Sequence, residues 1–228
     1  MYLIWGLRPE NDTGGVRFVQ NQVAPLQWHL SATQGDQQHS ITVQRTRLVD
    51  GVRREVLHQD DLRGVLFHPQ AAPKALVLVL TGSGGGVDET TAALLARHGY
   101  LALALGYFAY ADLPTTLTRI PLEYFERAIA YLRGLPDSAD LPLLTWGKSR
   151  GGELALLLGA YLNQARQVNG VIAYVPSSHI WSGFGTDAIV PAWTYRGQPL
   201  PYVPPQPNPQ FEHYAAQQQA SGQPIALR

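Results

Sequence analysis

Cysteine is absent from the 228-residue chain. That excludes disulfides, thiolate-bound zinc and a cysteine nucleophile, and it fits a reducing compartment. Charge is scarce as well: 17 basic side chains balance 17 acidic ones, and together they make up only 15% of the residues. No basic field exists to hold a nucleic-acid backbone, so nucleic acid is not an expected partner. Long apolar runs are also missing. Residues 75–80 have the size of a buried strand and 154–161 that of a buried helix, far short of the roughly 20 residues that cross a membrane. The apolar run at 1–8 is too short for a secretory leader, and no basic region precedes it. No group of His, Asp and Glu has zinc-ligand spacing, and no motif asks for a cofactor. These absences lead us to expect a soluble, cytoplasmic protein with no membrane span, metal or cofactor.

What is present is a core. At 45% hydrophobic residues, the chain can bury one large domain, or one domain and a smaller module. Residues 1–70 are rich in Gln, Arg, Val and Thr and read as antiparallel β structure, either a partial N-terminal module or the edge of a larger sheet. Residues 41–48 and 62–67 are the clearest strands there, with a polar turn over 34–40. From residue 71 the rhythm becomes strand–helix–strand. The continuous apolar runs 75–80 and 100–105 are expected to be strands buried on both faces. Asp88 is placed to cap a helix that Gly99 ends. Leu122, Phe125, Ile129 and Leu132 fall at helical spacing between Pro121 and Gly134. A strand over 141–146, a helix over 152–164 and a strand over 171–175 complete an α/β pattern, a mostly parallel sheet with flanking helices. Beyond Pro176 the chain is proline-rich and irregular, the composition of a lid or substrate wall. Residues 211–220 read as one more helix.

Two glycine-rich turns carry the chemistry. Gly147-Lys148-Ser149-Arg150-Gly151 follows a strand and opens a helix. A serine at such a turn has its hydroxyl exposed above the sheet, and glycines on both sides let the backbones approach closely. The helix start aims N–H groups at any negative charge that develops there. The plainer reading is an ordinary strand-to-helix turn with a capping serine. The second turn, 82–86, follows the earlier strand. It matches neither nucleotide-loop spacing, because Val87 stands where the last glycine belongs. In a hydrolase, backbone N–H groups at Ser83 and Gly84 would join that of Arg150 to hold an oxyanion.

A serine nucleophile needs a base, and the base an orienting carboxylate. After Ser149 the acids are Glu153, Asp187 and Glu212, and the histidines His179 and His213. Glu153 lies one turn into the elbow helix and suits polar support. His179 suits a cleft wall. Asp187 and His213 have the right order but flank the proline-rich stretch, so no convincing pair stands out.

The segments 80–86, 104–114, 122–126 and 147–154, in this order and spacing, resemble the acyl-CoA thioesterase and bile-acid-CoA:amino-acid N-acyltransferase family. Residues 1–69 resemble the end of its N-terminal β-sandwich, and 51–54 with 63–67 its lead into the hydrolase domain. The resemblance implies an α/β-hydrolase fold over 71–228 and cleavage of acyl-CoA thioesters. Ser149 matches the family's nucleophile, which is cysteine in many of the N-acyltransferases; serine favours hydrolysis. Arg150 stands where the family usually has lysine. The family's acid and histidine follow two further strands, so the resemblance also implies a chain truncated at both ends, with a companion chain able to supply the missing strands. Two other readings stand beside it: a non-catalytic fragment or pseudoenzyme, and a small-ester hydrolase of the dienelactone type.

Overall fold

The computed structural model describes residues 23, 25–46, 48, 50–162, 167–186 and 188–205. The first described elements form an antiparallel hairpin, β1 (Leu26–Gln34) and β2 (Gln37–Arg45). Its turn is only Gly35 and Asp36, with Gly35 at φ 58°. The polar stretch 37–40, expected in the turn, is paired strand instead, because two residues with a left-handed glycine suffice to reverse the chain.

A second hairpin, β3 (Arg53–Gln59) and β4 (Leu62–His68), belongs to the main sheet. Residues 53–68 thus form one edge of the larger sheet. The sheet continues with β5 (Leu76–Leu80), β6 (Leu101–Gly106), β8 (Leu143–Lys148) and β9 (Gly170–Tyr174). Its order is β3-β4-β6-β5-β8-β9. The pairs β3/β4 and β4/β6 are antiparallel, and β6/β5, β5/β8 and β8/β9 are parallel. Three helices connect the strands: α1 (Glu89–Arg97), α2 (Leu122–Arg133) and α3 (Arg150–Leu162). This is the expected α/β-hydrolase architecture, with a mostly parallel sheet and flanking helices.

Alternation within the strands explains why continuous apolar runs are needed. Leu76, Leu78 and Leu80 with Leu101, Leu103 and Leu105 face α2 and α3, where they pack with Phe125, Ile129, Leu154 and Leu158. Val77, Val79, Ala102 and Ala104 face the other way, against Ala92, Ala93 and Ala96 of α1. Long side chains fill the wider layer, and small ones let α1 approach closely. Asp88 caps α1 as expected, accepting from the Thr91 N–H at 3.1 Å.

The stretch after β9 is less irregular than its prolines suggest. β10 (Trp193–Tyr195) pairs with β11 (Gln198–Pro199) and, in parallel, with β7 (Ile120–Pro121), forming a small separate sheet. Local periodicity carries no sign of it, because Ile120 and Trp193 meet across a long sequence separation. The helix expected over 211–220 lies outside the described residues.

Candidate active site

Strand β8 ends at Lys148 and α3 begins at Arg150, so Ser149 alone makes the turn. It adopts φ 53°, a left-handed conformation that costs a non-glycine residue on the order of 1 kcal/mol or more. Three surroundings hold it there. Its N–H donates to the Tyr174 carbonyl at the end of β9 (3.0 Å), and its carbonyl accepts the Glu153 N–H (3.0 Å). The two flanking glycines are obligatory. A Cβ on Gly147 would sit 2.0 Å from the Gly151 oxygen, and one on Gly151 would sit 2.1 Å from the Thr81 oxygen. No side chain fits at either place.

The Ser149 side chain is exposed, and its hydroxyl has no hydrogen-bond partner among the described residues. The turn at 82–86 lies beside it, with the Cβ direction of Gly82 pointing 3.3 Å from the Ser149 Cβ. That turn is braced from behind. Gly85 donates to Gly82 at 3.2 Å and Gly86 to Phe108 at 3.1 Å. The Tyr107 hydroxyl donates to the Thr81 carbonyl at 2.6 Å, and burial pushes its pKa up, which keeps it a neutral donor. The backbone N–H groups of Ser83, Gly84 and Arg150 make no hydrogen bond to a described residue. A salt bridge ties the two turns together: Lys148 reaches the buried Asp88 at 2.9 Å, and Asp88 also caps α1.

The side chains of the elbow helix hold the segment after β9. Arg150 turns away from the serine. It donates to the Glu153 carboxylate at 2.9 Å and to the Ser182 and Trp181 carbonyls at 2.9 and 3.2 Å. Glu153, 2% exposed, also accepts from the indole N–H of Trp193 at 2.9 Å and the Trp181 N–H at 3.4 Å. Burial pushes the Glu153 carboxyl pKa up, while the Trp193 hydrogen bond and Arg150 oppose that shift. Burial likewise lowers the Arg150 pKa against the pull of Glu153. Glu153 is therefore the polar support anticipated for it. The tryptophans that complete this cluster, and the use of the Arg150 side chain, were not foreseen. A buried acid on the apolar face of an elbow helix was the available signal.

Among the described residues, no expected base is bonded to the serine hydroxyl. His179 is exposed, with its Nδ1 at 2.9 Å from the Ser178 hydroxyl. Asp187, Glu212 and His213 lie outside the described residues. Among the described residues, no three His, Asp or Glu side chains form a group able to hold a metal ion.

Comparison with known proteins places this geometry. Residues 120–184 match the family model described as BAAT / Acyl-CoA thioester hydrolase C terminal. Human acyl-coenzyme A thioesterase 1 is 35% identical over 194 residues, which cover 80% of this chain and 46% of that protein. The chain is similar to members of the acyl-CoA thioesterase and bile acid-CoA:amino acid N-acyltransferase family. Mouse bile acid-CoA:amino acid N-acyltransferase is 32% identical over 199 residues, 80% of this chain and 47% of its own. The chain thus spans about half the length of the curated family members it matches. The resemblance drawn from the glycine turn and the elbow is confirmed at the level of this family. Among solved structures, the α/β hydrolase GrgF from Penicillium sp. sh18 is similar, with a TM-score of 0.45 and 19% identity, covering 55% of this chain and 46% of that one.

Proposed function

We propose that this chain is a serine hydrolase acting on acyl-CoA thioesters, with Ser149 as the nucleophile. The observation that carries the reading is the strained, exposed Ser149 at the β8–α3 turn. A φ of 53° held by two obligatory glycines is a cost that an ordinary capping serine has no reason to bear. In this reading the Ser149 oxygen attacks the thioester carbonyl. The carbonyl oxygen becomes an oxyanion, which the N–H groups of Arg150 and of Ser83 or Gly84 hold. Collapse of the tetrahedral intermediate expels the thiol and leaves an acyl-serine, which water then cleaves. The human relative named acyl-coenzyme A thioesterase 1 supports the thioester class.

The base and acid belong to the proposal too. Asp187 and His213 follow the order Ser, acid, His expected for this fold. The other source is a companion chain that adds strands beside β9, the terminal strand of the sheet. We place the protein in the cytoplasm, in lipid metabolism; no helix among the described residues is long and apolar enough to cross a membrane.

The test is acyl-CoA turnover by the full chain and by Ser149→Ala. A loss of at least a hundredfold is expected, and equal rates would exclude the reading. A second reading, a non-catalytic relative that keeps the pocket, is favoured by the free Ser149 hydroxyl with no described histidine bonded to it. It predicts equal background rates for both proteins. A dienelactone-type small-ester hydrolase would instead prefer p-nitrophenyl acetate over long acyl-CoA.

A further inference from the structure

A groove of about 780 Å³ opens between residues 116–119 and the stretch that contributes Gly185, Thr186, Ala188 and Val190. Its lining is mostly polar, with one cation: Thr116, Thr118, Arg119, Gly185 and Thr186, together with the apolar Ala188 and Val190. Backbone bonds fix both walls. Leu117 and Phe184 exchange hydrogen bonds at 3.2 and 3.1 Å, and Arg119 donates to Pro191 at 2.9 Å. Arg119 is held at φ 50°, a strained conformation for a residue on an exposed loop. Its guanidinium makes no hydrogen bond or ion pair with a described residue. Thr116 and Thr118 place their hydroxyls 3.0 Å apart on the same wall.

The groove connects to the elbow through packed residues. Gly82 abuts Ser149, and Gly85 packs on the Phe108 ring, where an added Cβ would lie 3.0 Å away. Phe108 meets Phe184 edge to face at 5.9 Å, and Phe184 precedes Gly185 on the groove wall. A guanidinium with no partner among the described residues, beside several hydroxyls, is a donor set for a phosphate, which accepts a forked pair of hydrogen bonds from arginine.

We propose that this groove binds the phosphate groups of the substrate's carrier, with Arg119 as the anchor and Thr116, Thr118 and Thr186 as supporting donors. The inference rests on the acyl-CoA reading of Ser149. It names where the non-reacting end of that substrate is held, so that its binding energy positions the thioester.

The test is isothermal titration calorimetry of the full chain carrying Ser149→Ala, at low salt. Coenzyme A, pantetheine and inorganic pyrophosphate are the probes. Because no turnover is needed, the result stands apart from whether Ser149 reacts. Adding Arg119→Gln is expected to weaken coenzyme A about tenfold, with Arg119→Lys intermediate, while Arg97→Gln, an exposed cation at the end of α1, changes it less than twofold. Thr186→Val, on the opposite wall, is expected to weaken it severalfold, and pantetheine should respond to neither variant. No coenzyme A binding, or equal affinity with Arg119→Gln and Thr186→Val in proteins with unchanged circular dichroism, would overturn the proposal. Pyrophosphate binding as tightly as coenzyme A would assign the groove to free phosphates and overturn its role as a carrier site.

Discussion

The elbow and the segment that follows β9 meet α3 in different ways. At the elbow, backbone does the holding: Ser149 is fixed by hydrogen bonds to Tyr174 and Glu153 and by two glycines against which no side chain fits. The later segment is held by backbone pairing with residues 117–121 and, where it meets α3, by a buried side-chain cluster in which Glu153 takes hydrogen bonds from Arg150, Trp181 and Trp193. Strain at the elbow is thus imposed by close-packed neighbours, whereas the contact between the later segment and α3 centres on one carboxylate. The two regions should fail separately when each is attacked.

Gly151→Ala strikes the elbow hardest. The new methyl would lie 2.1 Å from the Thr81 oxygen, so a loss on the order of 5 kcal/mol in stability is expected, seen as a large drop in urea midpoint. Unchanged stability would mean that the β5–β8–α3 packing is looser than described. Glu153→Ala comes next. It leaves the largely buried Arg150 without its carboxylate, and breaking such pairs costs about 3–5 kcal/mol. Its local signature is a change in near-ultraviolet circular dichroism from Trp181 and Trp193. If the two regions are as separable as argued, the milder Glu153→Gln alters that signal while Ser149 stays reactive. Trp193→Phe keeps most of the packing and loses one hydrogen bond to the carboxylate, an expected cost of about 1–3 kcal/mol.

The smallest expected effect concerns a surface pair distant from this contrast, and it serves as a control. Arg63 grips Asp112 with two nitrogens, and its hydrogen bonds hold the Asp112 carboxyl pKa at about 2, below the usual 3.8. A pKa lowered on folding means that the pair contributes fully above the unfolded value and loses its contribution as pH falls toward 2. The Asp112 side chain is 63% exposed, so the contribution is small. Wild type and Asp112→Asn should differ slightly in urea midpoint at pH 6 and converge at pH 2. A difference that persists at pH 2 would mean that the pair is not what separates them.

The same contrast explains what the sequence made legible. The elbow was readable because its requirements are local. A glycine on each side of Ser149, an apolar strand before it and an apolar helix after it all lie within a short window. The sheet was readable where strands are buried on both faces, as in Leu76–Leu80 and Leu101–Gly106. The hairpin at 26–45 was only half seen, because exposed strands carry no apolar alternation to mark their limits. β10 and β7 were missed because their pairing joins residues far apart in sequence. The Glu153–Trp193 contact is of the same kind, set by the fold and not by spacing. The Arg119 groove also had no local signature, since its two walls come from separate segments.

The central claim is that Ser149 is a nucleophile held in a reactive turn. Its most direct test is exposure of the full chain to a fluorophosphonate probe, followed by peptide mass spectrometry, with Ser149→Ala as control and circular dichroism to establish folding. The account predicts a single adduct on Ser149 that is absent from Ser149→Ala. A folded protein with no adduct, or with the same adduct in both proteins, would contradict it.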